Sequence, residues 1–315
     1  MNIEQPNTAQ VLSRIHRITI IVNPAAGRGS ASQWIGELEV RLSLAIQSTH
    51  RIISWQIIET SCPGDATELA REAVRGGANI VVAAGGDGTV GEIVNGLVGT
   101  DVALGVIPMG TGNDFARSLG IGTDVDKAIY NLLEGVPIAI DVGKTQGRYF
   151  VNVAGCGLDA AVAQRVNTGF RWLRGTSAYL AAVLQSLLSY NATTIRLTID
   201  NETIETKALL CSIANARYYG GGMRIAPDAL LTDGLFDICL IEDVGKIEFL
   251  RTFRQVFKGR HITHPRVKML RSKYVKVESD RPLPVLVDGE IVGTTPVEFE
   301  MLAGGLNIIG PYIAS

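Results

Sequence analysis

VVAAGGDGTVGEIVNG, residues 81–96, passes from small apolar residues through a glycine pair, an aspartate, another glycine and a threonine into a helical pattern. Val90, Ile93, Val94, Leu97 and Val98 recur on one helix face. The preceding ANIVVAAGG (78–86) reads as a buried strand. A strand that ends in glycines and opens a helix outlines an anion site. The first N–H groups of a helix lack intrahelical partners, the dipole favours negative charge, and glycine lets the backbone approach a ligand closely. A single turn of this kind is as readily a plain strand-to-helix connection.

Outward from this turn the pattern repeats. RITIIVNP (17–24) is an apolar strand ended by Asn23-Pro24, and ISWQIIET (53–60) is a second. Ser30 and Gln33 fit a capping box for the helix after AAGRG. PGDATELAREAVRGG (63–77) is a helix with Asp65 and Glu68 fitting its cap and Gly76-Gly77 its stop. VALGVIPMG (102–110) is another strand, and FARSLGI (115–121) opens another helix, which Asp114 is placed to cap. Strands alternating with helices at this spacing predict a doubly wound parallel sheet. Three glycine-rich turns, NPAAGRG (23–29), GGDGT (85–89) and PMGTGND (108–114), then lie at the carboxyl edge, where open α/β sheets bind ligands. Their convergence points to a nucleotide.

After about residue 142 the pattern changes. RYFVNVAG (148–155), TIRLTID (194–200), TKALLCSIAN (206–215), LFDICLIED (235–243) and VKVESD (275–280) are strands, with helical patterns near 158–190 and 245–260. The expected fold is α/β: a doubly wound parallel-sheet nucleotide-binding domain over 17–142, then a mainly antiparallel β domain over 143–304. Residues 1–16 are expected to be a loose polar arm. LNIIGPY, within 305–315, is a closing strand able to return to the first domain.

The net charge of −2 gives no basic field for nucleic acid. The 4 cysteines form no CxxC and read as reduced thiols of a cytosolic protein. There is no apolar signal core at the N-terminus and no apolar run near the roughly 18 residues of a membrane span. The expected location is cytoplasmic, with transient contact at a membrane surface and a homodimer left open. Arg165, Arg171 and Arg174 mix with Phe170, Trp172 and Leu173, a composition that suits an anionic surface or the solvated start of a core helix. His261 and His264 are spaced HxxH without further evident ligands.

Gly86, Gly88 and Gly91 satisfy GxGxxG, yet they lie in a later unit and Asp101 comes too early for a Rossmann acid. Gly143-Lys144-Thr145 lacks the earlier glycine of a P-loop. Asp87 would repel a phosphate unless a Mg²⁺ ion bridges the two. NPAAGRG, GGDGTVGEIVNGL and PMGTGNDFAR, in that order, followed by PDALLTDGLFD and VDGE, resemble the diacylglycerol kinase catalytic family, which includes the sphingosine and ceramide kinases. One departure is Gly91, where the family usually has asparagine.

The resemblance implies an ATP-dependent lipid kinase acting on a diacylglycerol-like hydroxyl. It places Gly86, Asp87, Gly88, Thr89, Val90, Gly91 and Glu92 around the ATP phosphates, with Asp87 acting through Mg²⁺. Asn23, Arg28, Thr60, Thr111 and Asp114 complete that site. A structural Mg²⁺ is implied at Asp233 and the carbonyls near Leu230 and Leu235. PVLVDGEIVG is by itself a hairpin signal; the family's base also falls here, with Asp288 as first choice and Glu290 as second. The alternatives are an NAD kinase-like phosphotransferase, whose second domain would carry a glycine-rich repeat instead, and a nucleotide-binding protein that has lost catalysis.

Overall fold

The computed structural model describes residues 16–29, 31–49, 53–169, 183, 185–187, 189–200 and 202–311. Strand β1 (His16–Val22) pairs in parallel with β2 (Ile53–Glu59) on one side and β3 (Ile80–Gly85) on the other. Strand β4 (Ala103–Pro108) extends the sheet in parallel beyond β3. Every residue of β3 and β4 is buried, as continuous apolar runs require when helices cover both sheet faces. The helices are α1 (Ala26–Gly29), α2 (Ala31–Ser48), α3 (Asp65–Arg75), α4 (Asp87–Leu97), α5 (Asp114–Ser118) and α6 (Val125–Glu134). Strand order reverses around β1, so the turns after β1 and β3 flank the switch point.

Local expectations are corrected in two helices. Gly64, in the left-handed region, precedes α3, and no side chain of that segment caps it. Asp65 instead accepts from the Ser61 N–H and hydroxyl, and Glu68 pairs with Arg71 and Arg75. The cap comes from another helix: the Glu92 carboxylate accepts the Gly64 N–H at 2.9 Å and the Ala66 N–H at 3.2 Å. Asp114 does not cap α5 either, because it lies inside the helix with its carboxylate turned elsewhere. Helix α6 was not foreseen, although Asp124 caps it by accepting from Asp126 and Lys127. Ser30 falls outside the described residues.

The second half is an antiparallel β domain. Its sheet runs β14 (Glu290–Thr294), β13 (Pro284–Val287), β7 (Val153–Gly157), β9 (Glu202–Ala214), β8 (Thr193–Ile199), β12 (Tyr274–Ser279), β15 (Val297–Gly310). Strand β10 (Phe236–Glu242) joins β9 and β11 (Val267–Ser272), and β5 (Val136–Thr145) joins β15 and β6 (Arg148–Phe150). Helix α7 (Leu158–Gly169) follows β7, and α8 (Lys246–Val256) follows β10. Phe150 anchors the core, stacked on Phe236 at 5.7 Å and edge-on to Phe299 at 6.3 Å.

Strand β15 is the seam. Its first half pairs with β12, and Asn307 and Ile308 pair in parallel with Ala103 and Leu104 of β4. The register against β5 shifts between Leu302 and Leu306. Among the described residues no helix is long and apolar enough to cross a membrane.

Side chains reinforce the seam. Asn95 of α4 donates to the Tyr149 carbonyl and accepts the Tyr149 N–H, both at 2.9 Å. Asn215 donates to the Asp141 and Val151 carbonyls from a fully buried position. Asn95→Ala strands both backbone groups of Tyr149 in a half-buried place. It should lower stability by about 2 kcal/mol, read as a lower urea midpoint with an unchanged m-value.

Candidate active site

The site begins where the two inner turns touch. A Cβ built on Gly110 would lie 2.4 Å from the Gly86 Cα, so glycine is required for the turns after β3 and β4 to pack. The Met109 N–H donates to the Gly85 carbonyl at 2.8 Å and locks the approach. Asn113 closes the second turn in a left-handed conformation (φ 53°), its side chain bonded to both the N–H and the carbonyl of Gly110.

This packing brings two carboxylates together. Asp87 opens α4 and accepts the Phe115 N–H at 3.0 Å. A Cβ on Gly112 would lie 2.9 Å from Asp87 Oδ2 and 3.4 Å from Asp114 Oδ2, so the two acids flank that glycine. Asp114 accepts the N–H groups of Gly221 and Gly222 at 2.8 and 2.7 Å, reaching across to the second domain. Burial raises its pKa to about 6; the Asp87 charge adds, and the two amides and Arg117 pull the other way.

The far wall is the β13–β14 hairpin. Asp288 and Gly289 form its turn with φ of 43° and 92°. The Asp288 carboxylate accepts N–H groups from Val151, Asn152 and Val153 at 3.0–3.1 Å. Its pKa is raised to about 7, chiefly by burial and slightly by Asp87, against those three amides. The residue keeps some exposed surface at the turn while its carboxylate sits under the strand ends. Asp87, Gly112, Asp114, Gly221 and Asp288 line one cleft of about 260 Å³.

The other expected site residues are distributed around this centre. Asn23 donates to the Thr89 hydroxyl at 3.2 Å, tying the first turn to the second. Thr60 donates its N–H to the Val22 carbonyl. Gly88 faces open space, Val90 is buried in the core, Thr111 is exposed, and Glu92 is committed to α3. Gly91 looks toward Asp288: a Cβ there would be 3.9 Å from its Oδ2. The Arg28 side chain and residues Phe170–Arg174 lie outside the described residues. Glu290 is exposed and paired with Arg148 at 2.8 Å. His261 contacts the Ile225 carbonyl and His264 pairs with Glu248.

For metal, the donor sets differ. Among the described residues no three His, Cys, Asp or Glu side chains form a cage. Mg²⁺ is commonly held by one or two carboxylates with phosphates and water, and the crowded acids Asp87 and Asp114 fit that habit. At the other loop Asp233 accepts the Leu235 N–H and pairs with Arg271, while Leu230 is exposed. A cation there would have to displace the guanidinium.

Two elements were missed in the sequence. Gly220, Gly221 and Gly222 all adopt positive φ, and the last two supply the amides that hold Asp114; three successive glycines were the available signal. Asp159, at the start of α7, is buried with Oδ2 unpartnered, and burial raises its pKa to about 7. It lines both the cleft and an apolar cavity of about 60 Å³ bounded by Leu158, Val162, Met223, Phe249 and Phe253.

The native Asp159 carboxyl keeps its proton where the unfolded chain, near pH 4, has lost it. The Asp159 contribution to stability is therefore full near pH 4 and is lost as pH rises to about 7. Asp159→Asn should make the fall shallower, measured as urea midpoint against pH; an unchanged slope contradicts the assignment.

The family model described as "Diacylglycerol kinase catalytic domain" matches residues 17–145, and "YegS C-terminal NAD kinase beta sandwich-like domain" matches 152–310. A Bacillus subtilis protein named diacylglycerol kinase is 33% identical over 300 residues, covering 94% of this chain and 96% of its own. One from Mycobacterium tuberculosis (strain ATCC 25618 / H37Rv) is 34% identical over 304 residues, with the same coverage of 94% and 96%. A solved structure of a candidate diacylglycerol kinase from Bacillus anthracis str. Sterne superposes with a TM-score of 0.77 at 25% identity, over 94% of this chain and 95% of that one.

Proposed function

Because this chain belongs to the diacylglycerol kinase catalytic-domain family, and is accordingly a lipid kinase, we propose that it transfers the γ-phosphoryl group of ATP to the hydroxyl of a diacylglycerol-like lipid. The product is then phosphatidic acid or an analogue. The observation that carries this reading is the cleft itself: Asp87 and Asp114 at the glycine turns, with Asp288 on the facing wall.

In this reading the α4 N-terminus and the glycine turns hold the triphosphate by backbone N–H groups. Mg²⁺, held by Asp87 beside Asp114, would supply the positive charge that lets phosphates enter a cleft of carboxylates. The lipid oxygen attacks the γ-phosphorus, the bond to ADP breaks, and a carboxylate takes the hydroxyl proton. The apolar cavity beside Asp159, at about 60 Å³, offers a lipid an apolar entry but not room for a whole acyl chain. Asp288 is the first candidate for base, since it lines the cleft and its raised proton affinity suits the task. Glu290 is the second reading, favoured by one observation: three N–H donors already engage Asp288, whereas Glu290 holds an exposed partner it can release.

Labelled ATP and a mixed lipid extract test the whole reading. A labelled lipid supports it; phosphorylation of NAD instead, or no transfer at all, sinks it. Asp87→Ala should cut turnover at least about a hundredfold with the melting temperature little changed; activity within about tenfold of wild type would contradict its role.

The base is separated from the hairpin by conservative changes. Asp288→Asn keeps the turn viable and should lower turnover at least about a hundredfold with nucleotide affinity unchanged. If Glu290→Gln is the crippled variant instead, the base is Glu290. If both turn over lipid normally, the hairpin is only a turn.

A further inference from the structure

Helix α8 carries apolar residues on an inner face and on an outer strip that adjoins it where the Phe253 and Phe257 rings meet edge-on at 6.1 Å. Phe249 and Val256 point inward and, with half-buried Phe253, line the apolar cavity. On the outside Ile247 is 70% exposed, Leu250 38% and Phe257, just past the last turn, 39%. At 100° per residue these three fall with Arg251, Arg254 and Lys258 inside an arc of about 120°. All three cations are exposed, and among the described residues none is in an ion pair with a carboxylate. The acid of the helix, Glu248, lies off this strip and pairs with His264 at 3.0 Å.

Single exposed apolar side chains are ordinary. Three large ones on one strip, interleaved with cations, are the pattern of a helix lying in a lipid interface. The charges also choose between occupants. A second copy of the helix would bring Arg251, Arg254 and Lys258 against themselves, whereas an anionic bilayer matches them.

We infer that α8 seats the protein on anionic lipid bilayers, with Ile247, Leu250 and Phe257 at the acyl boundary and Arg251, Arg254 and Lys258 against headgroup phosphates. This goes beyond the kinase reading and does not depend on it. It also places the lipid surface on the outside of the helix whose inner side lines the apolar cavity.

The test uses the full chain and co-sedimentation with phosphatidylcholine vesicles, with and without phosphatidylglycerol. Wild type should bind the anionic vesicles and release as salt rises. The combined change Arg251→Gln, Arg254→Gln and Lys258→Gln should weaken binding on the order of a hundredfold. Ile247→Ser, Leu250→Ser and Phe257→Ser together should weaken it at least about tenfold. If either combination loses its fold, seen as a lowered melting temperature, the single change Ile247→Ser still has to weaken binding. Equal binding of wild type to both vesicle types, no binding to either, or unaltered binding by the folded variants overturns the inference. So does a wild-type dimer that the apolar substitutions dissociate, which would make this face a protein interface.

Discussion

The contact between Gly86 and Gly110 sets the rest of the site. With the two turns touching, the residues that follow them, Asp87 and Asp114, are forced side by side. The Phe115 N–H then reaches Asp87, and Asp114 is left free to extend to Gly221 and Gly222. One close approach of backbone thus fixes the carboxyl edge of the parallel sheet and docks a loop of the antiparallel domain onto it. A methyl group at position 110 would drive the turns apart and disturb all of these bonds together.

The cleft is electrostatically unfavourable when empty of cations. Asp87, Asp114, Asp159 and Asp288 share it, and the last three have raised proton affinities, in each case chiefly from burial. The chain offsets this with fixed backbone dipoles: one N–H at Asp87, two at Asp114 and three at Asp288. Asn113 and Asp288 hold left-handed backbone with side chains attached, which costs energy that the surrounding hydrogen bonds must supply. Crowded acids and local strain at a sheet edge are expected of a functional site.

The parallel sheet was legible because β1, β3 and β4 are apolar runs buried on both faces and end in glycine turns, while β2 at the edge alternates. The hairpin at Asp288-Gly289 was legible from the Asp-Gly pair between two short strands. Strand β11 and the first half of β15 were not read, although Val297 and Phe299 alternate inward against Glu298 and Glu300. A period of two over so few residues is weak beside a long apolar run. The contacts that build the site were the least legible part. Glu92 caps a helix 26 residues earlier, and Asp114 binds amides 107 residues later. Such pairings come from topology, and nothing in the spacing of either residue announces them. The glycine triplet was visible, but its use depended on which carboxylate would face it.

Gly91 shows how one position joins these strands of argument. The family's usual asparagine would put an amide donor beside the Asp288 carboxylate, since even a Cβ at 91 comes within 3.9 Å of it. Glycine removes that donor and leaves Asp288 supported only by amides of its own domain, from Val151 to Val153. The α4 wall and the hairpin wall are then tied elsewhere, through Asn95 to Tyr149 and through Asp114 to the glycine triplet. A Cβ at 91 would already meet the Asp288 carboxylate at van der Waals distance, so glycine is what keeps this part of α4 clear of the hairpin wall.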